Sequence, residues 1–105
     1  MNNEERQVLN YLEKNAVGFK NKKTSDEIQI ALKLPSGGKT NEHTRRLIRN
    51  LISNHNAVIG SDSKGYWIIE TEQELQDVAD GLKSRANEIH ERAVTIQNNW
   101  SNKNE

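Results

Sequence analysis

No cysteine occurs in the 105 residues, which excludes disulfides, thiolate nucleophiles and any cysteine-built zinc site. That absence fits a reducing, cytoplasmic setting. No apolar run approaches the ~20 residues of a membrane span, so no membrane partner is expected. Residues 1–10 (MNNEERQVLN) lack the basic-then-apolar order of a signal peptide. Aromatic residues make up only 5% of the chain and proline occurs once. A net charge is lacking too, because 15 Lys/Arg balance 15 Asp/Glu. There are no internal repeats and no low-complexity segment.

What is present is small and polar. At 32% hydrophobic and 29% charged, the chain is one small domain with an appendage, and its core must be compact. A chain this polar gains from a partner subunit that covers more surface. The zero net charge hides an asymmetry. Residues 1–49 hold ten Lys/Arg against six Asp/Glu, a net +4; residues 70–105 hold four against eight, a net −4. A basic head and an acidic tail suit contact with phosphate at one end and a different task at the other.

Periodicity places a first helix over about residues 3–16, with Val8, Leu9, Tyr11 and Leu12 on its buried side. A basic loop, Gly18-Phe19-Lys20-Asn21-Lys22-Lys23, follows, with Phe19 as its expected anchor in the core. Ser25 is the expected cap of a second helix. Asp26 and Glu27 then sit where the helix dipole favours negative charge. Ile28, Ala31 and Leu32 form its stripe, and Pro35 stops it. After the turn Ser36-Gly37-Gly38-Lys39, a basic helix is expected over residues 40–54 (TNEHTRRLIRNLISN), capped by Thr40 or Asn41. Leu47, Ile48, Leu51 and Ile52 share one face with Thr44, while Arg46, Arg49 and Ser53 point away and Arg45 flanks. Residues 57–59 and 66–69 read as two short strands around a Gly/Ser/Asp turn. Trp67 in the second strand is expected in the core.

Thr71-Glu72-Gln73-Glu74 is a capping box for a long helix running to about Trp100. Leu75, Val78, Leu82, Ala86, Ile89, Ala93, Ile96 and Trp100 follow one another at steps of 3, 4, 4, 3, 4, 3 and 4. That is a heptad seam with one stutter, and it predicts a dimer interface between two copies of the helix. Residues 1–70 are thus expected to form a head and 71–100 a dimerisation helix. Residues 101–105 are expected to be a frayed tail.

Catalytic signatures are lacking. Gly38-Lys39-Thr40 resembles the end of a phosphate-binding loop, but Lys33 stands where the loop's first glycine belongs and no strand precedes it. His43, His55 and His90 have no metal-ligand spacing. The serines lie in turns and caps with no local base. No cofactor, metal or enzymatic activity is expected.

Helix, turn, basic helix and hairpin, in that order, outline a winged helix-turn-helix with a two-stranded wing, in a mainly α (α+β) chain. In that arrangement the basic helix enters the major groove of double-stranded DNA. Asn41, His43, Arg45, Arg46 and Arg49 would reach phosphates or base edges. Lys39 and Thr40 stand at the helix start, where free N–H groups favour phosphate. Lys64 would meet the adjacent backbone from the wing. The plainer alternative is a solvated face, with Glu42 paired to Arg46 four residues on. Glu42 and Asp62 also bring negative charge to the same surface.

The run from Lys39 to Trp100 resembles small winged-helix proteins encoded by phages and prophages of Gram-positive bacteria. The resemblance rests on the arginine-rich helix, Ile59-Gly60-Ser61…Lys64-Gly65-Tyr66-Trp67, the acidic cap after it, and Leu82-Lys83-Ser84-Arg85. It covers about two-thirds of the chain and implies a DNA-binding or replication-module role. The expectation is therefore a non-enzymatic, homodimeric DNA-binding protein, either a transcriptional regulator or a replication accessory factor. The rival is a protein-interaction module whose partner is a host or phage replication or transcription protein.

Overall fold

The computed structural model describes residues 1–103 of the chain. These residues are mainly helical, with one two-stranded antiparallel sheet and a long C-terminal helix. The first helix, α1 (Asn3–Asn15), is capped by Asn2. Asn2 Oδ1 accepts from the Glu5 N–H at 2.8 Å, and Glu5 Oε1 accepts from the Asn2 N–H at 2.9 Å. Two backbone donors that the helix itself leaves unpaired are satisfied in this way. Val8 and Leu12 are fully buried on its inner face, with Leu9 and Tyr11 packed at the margin.

A 3₁₀ turn (Phe19–Asn21) follows. Phe19 does not anchor it in the core: it stays 49% exposed, its ring meeting Trp67 edge-on with centroids 5.1 Å apart. Trp67, almost wholly buried, already fills the space beneath.

The second helix, α2 (Ser25–Leu32), is capped by Thr24 and not by Ser25. Thr24 Oγ1 accepts from the Glu27 N–H at 3.0 Å, and Glu27 Oε1 accepts from the Thr24 N–H at 3.2 Å. The reciprocal pair needs an acid three residues on, and Ser25 has Ile28 there. Ile28 is buried, but Ala31 is exposed; Leu34, beyond the left-handed Lys33 (φ 54°), completes that side of the core. The third helix, α3 (Glu42–Asn54), buries Thr44, Leu47, Ile48 and Leu51. Ile52, expected on the same face, remains 45% exposed. Each fully buried leucine or isoleucine in this cluster contributes about 1.5–3 kcal/mol.

The hairpin pairs β1 (Ile59–Asp62) with β2 (Gly65–Ile68) in the register Ile59–Ile68, Gly60–Trp67, Ser61–Tyr66 and Asp62–Gly65. The first strand begins two residues later than the sequence suggests. Ala57 still belongs to the helix exit, its N–H donating to the Leu51 carbonyl at 3.1 Å. Gly60 is required where it stands, because a Cβ there would lie 2.7 Å from the Trp67 ring. Gly65 (φ 147°) likewise lets β2 approach the Lys23 carbonyl, which a Cβ would meet at 2.6 Å.

The other edge of β2 is covered by the segment between α1 and α2. Tyr66 and Lys23 exchange N–H···O bonds of 2.8 Å. Ile68 N–H donates to the Ala16 carbonyl at 2.7 Å and Gly18 N–H to the Ile68 carbonyl at 2.9 Å. A two-stranded ribbon thereby gains a third backbone partner, which relieves its exposed edge.

The fourth helix, α4 (Glu72–Lys103), has 32 residues and a length of about 48 Å. Thr71 Oγ1 accepts from the Glu74 N–H at 3.1 Å, while the Glu74 carboxylate accepts from Glu70 N–H at 3.2 Å. The helix passes the expected end at Trp100, so Ser101–Lys103 are helical; Asn104 and Glu105 lie outside the described residues. By its contacts the chain falls into two units, Met1–Leu75 and the remainder from Gln76. The first holds the entire apolar core. In the second, the seam residues Leu82, Ile89, Ile96 and Trp100 are 53–68% exposed, Ala86 and Ala93 are exposed, and Val78 is half-buried. Among the described residues no helix is long and apolar enough to cross a membrane.

Candidate functional site

The amphipathicity of α3 decides where its basic side chains go. Burial of Thr44, Leu47, Ile48 and Leu51 fixes the rotation of the helix, and Arg45, Arg46 and Arg49 then face solvent. Arg45 and Arg46 make no ion pair among the described residues. Glu42 turns to Arg49 at 3.4 Å and not to Arg46, four residues away. Both partners of that pair are well exposed, so it holds Arg49 only weakly.

Not every expected residue joins this surface. Asn41 is buried, left-handed (φ 55°) and turned inward, its amide donating to Asp26 Oδ1 and, at 3.4 Å, to Ser25 Oγ. It positions the start of α3 against α2 and offers nothing to a ligand. Asn41, one of the two expected caps, does stand at the N-cap position of α3, but its side chain makes no cap bond to the helix. His43 is half-buried, with Nε2 3.0 Å from Glu4 Oε2. Lys39 and Thr40 are exposed in the turn before the helix.

Lys64 is exposed in the two-residue turn of the hairpin, and its N–H donates to Asp62 Oδ1 at 2.8 Å. Asp62 looked from the sequence like an offset to Lys64. Its carboxylate is instead bound 2.6 Å from Lys22 Nζ. That hydrogen bond, with those from the Lys64 and Gly65 N–H groups, holds the Asp62 carboxyl below the usual range against the opposing effect of burial. Lys22 Nζ also lies 3.5 Å from the centroid of Phe19 and 5.1 Å from that of Trp67. One lysine thus braces the hairpin through charge and two aromatic faces. Sequence reasoning missed it because Lys22 and Asp62 lie 40 residues apart.

A second tie was also missed. The buried Glu5 carboxylate accepts from the Asn50 amide and lies 3.6 Å from His55 Nε2. The Asn2 N–H bond, then Asn50 and the charge of His55, lower the Glu5 carboxyl below its ordinary 4.5, while burial opposes them. With Glu4 on His43, adjacent acids of α1 hold two turns of α3 in place. The only sequence signal was the Asn2/Glu5 capping spacing, which explains the cap and not the cross-helix bond.

The arrangement offers fixed positive charge on a rigid helix, with a lysine on a braced hairpin turn. It assembles no nucleophile beside a base, and no cluster among the described residues is placed to hold a metal. An open depression of about 350 Å³, lined by Val17, Gly18, Phe19, Lys20, Asn21, Glu70 and Glu74, includes none of the α3 residues. No family model, curated protein or solved structure matches the chain. Function must be argued from the site.

Proposed function

We propose that the protein is a winged helix-turn-helix DNA-binding protein, non-enzymatic, working as a homodimer in transcriptional regulation or replication. One observation carries this reading: Arg45 and Arg46 are exposed, and without an ion pair among the described residues, on a helix whose opposite face is locked into the core. A helix held that rigidly presents its arginines without added ordering cost, which suits a major groove. The order α1, covering segment, α2, α3, hairpin, with Lys23 bonded to Tyr66, supports a wing beside the basic helix. Lys39, Thr40 and Lys64 supply backbone contacts in this reading, with Arg49 released from Glu42 to a phosphate. Asn41 is withdrawn from the contact set because its amide is spent on α2.

Mobility shift with duplex DNA at low and moderate salt tests the proposal. Wild-type protein is expected to shift duplex at low salt and to lose affinity steeply as salt rises. Arg46→Ala is expected to weaken binding by about 1–3 kcal/mol. Unchanged affinity in that variant counts against groove contact. A stable dimer that shifts no duplex at low salt would favour a protein partner on the same face.

A further inference from the structure

We infer that α4 pairs with α4 of a second copy in antiparallel orientation, Leu75 of one lying level with Ile96 of the other. The inference rests on the proposed homodimer and fixes its direction. The seam on α4 has exposed large side chains at Leu75, Leu82, Ile89 and Ile96. Read forward from Leu75 its first steps are 3 and 4, to Val78 and Leu82; read backward from Ile96 they are again 3 and 4, to Ala93 and Ile89. Reversal therefore stacks Leu75 on Ile96, Val78 on Ala93 and Leu82 on Ile89, and the two seams meet at Ala86.

Charge separates this from a parallel pair. Glu72, Glu74, Asp77 and Asp80 precede the first base of the helix, Lys83. Parallel helices would set those four carboxylates beside four more, at one end and with no base among them. Antiparallel helices set residues 72–80 beside residues 91–99, where Glu91 and Arg92 cancel. Side-chain volume points the same way. Parallel pairing would face Ala86 with Ala86 and Ala93 with Ala93 between layers of leucine, isoleucine and tryptophan, leaving gaps that cost packing. In the reversed pair Ala93 meets Val78, and only the central Ala86 meets its own copy.

The direction also sets the spacing of the two Leu75 residues. The two Leu75 residues, each at the boundary of its own compact unit, would stand about 32 Å apart along the pair, since 21 residues rise 1.5 Å each. In a parallel pair they would be only about 10 Å apart.

Because the chain lacks cysteine, disulfide trapping reads the direction on the full-length protein. Under mild oxidation, Val78→Cys mixed with Ala93→Cys is expected to give a covalent dimer of the two variants, and Ala93→Cys alone is expected to give none. In the antiparallel pair the two copies of position 93 would be about 22 Å apart, far beyond the ~7 Å limit of a disulfide. Leu82→Cys mixed with Ile89→Cys checks the same geometry one layer on. Efficient self-cross-linking of Ala93→Cys, or a wild-type chain that sediments as a monomer at every concentration, overturns the pairing. Neither readout contains DNA, so their failure is distinguishable from failure of the mobility shift.

Discussion

Helices α3 and α4 are both amphipathic, yet they use their apolar faces in opposite ways. In α3 the face is consumed within the first unit: Leu51 is fully buried and Ile48 nearly so. In α4 the face is uncovered, with Ile89 63% and Ile96 60% exposed. A buried stripe fixes a helix's rotation and so aims its polar side. An uncovered stripe aims nothing until something covers it. The arginines of α3 are therefore set by the fold of one chain, whereas the apolar face of α4 is left open by it.

The largest expected effect comes from testing that contrast directly. Leu51→Ala should cost about 2–5 kcal/mol in urea unfolding, because it empties a site that cannot collapse fully. Ile89→Ala should cost no more than about 0.5 kcal/mol in dilute protein, and should weaken self-association in sedimentation. Equal losses for the two variants would break the comparison.

A smaller loss is expected at the hairpin. Gly60→Ala places a methyl against the Trp67 ring and should cost about 1–3 kcal/mol through overpacking. Thermal melting followed by tryptophan fluorescence measures it. A neutral result would mean that Trp67 has room to shift away from the hairpin backbone at Gly60.

The smallest effect sharpens how firmly α1 holds α3. The Glu5 carboxyl is lowered from its ordinary 4.5 by Asn2, Asn50 and His55. Its contribution is fully present above the ordinary value and is lost as pH falls through the lower folded value. Melting temperature should therefore drop as pH falls below about 4.5, and Glu5→Gln should flatten part of that slope. An unchanged slope in the variant would place the acid sensitivity elsewhere.

Much of the fold was legible because it depends on local rules. The periodicity of residues 40–54 gave the two faces of α3 apart from Ile52, and the single proline followed the end of α2 closely. The Thr71/Glu74 cap also formed at its amide end. Three of the misreadings share one cause. Thr24 displaced Ser25 as cap because Glu27 reaches back to it. Phe19 stayed outside because Trp67 had filled the space. Asn41 turned inward because Asp26, distant in sequence, offers a better partner than the helix end. Each outcome was a competition between neighbours that the sequence does not display as neighbours.

Residue order alone was enough to define a cysteine-free, polar chain, divided in charge, with one basic amphipathic helix and one long apolar seam. Spacing along a helix is a property of the chain, so these features needed no tertiary contacts. Which charges remain available was settled by packing. Lys22 neutralises Asp62, Glu42 turns to Arg49, and Arg45 and Arg46 are left to solvent. Ion pairing depends on distances of a few ångströms between elements, and those distances exist only once the core has packed.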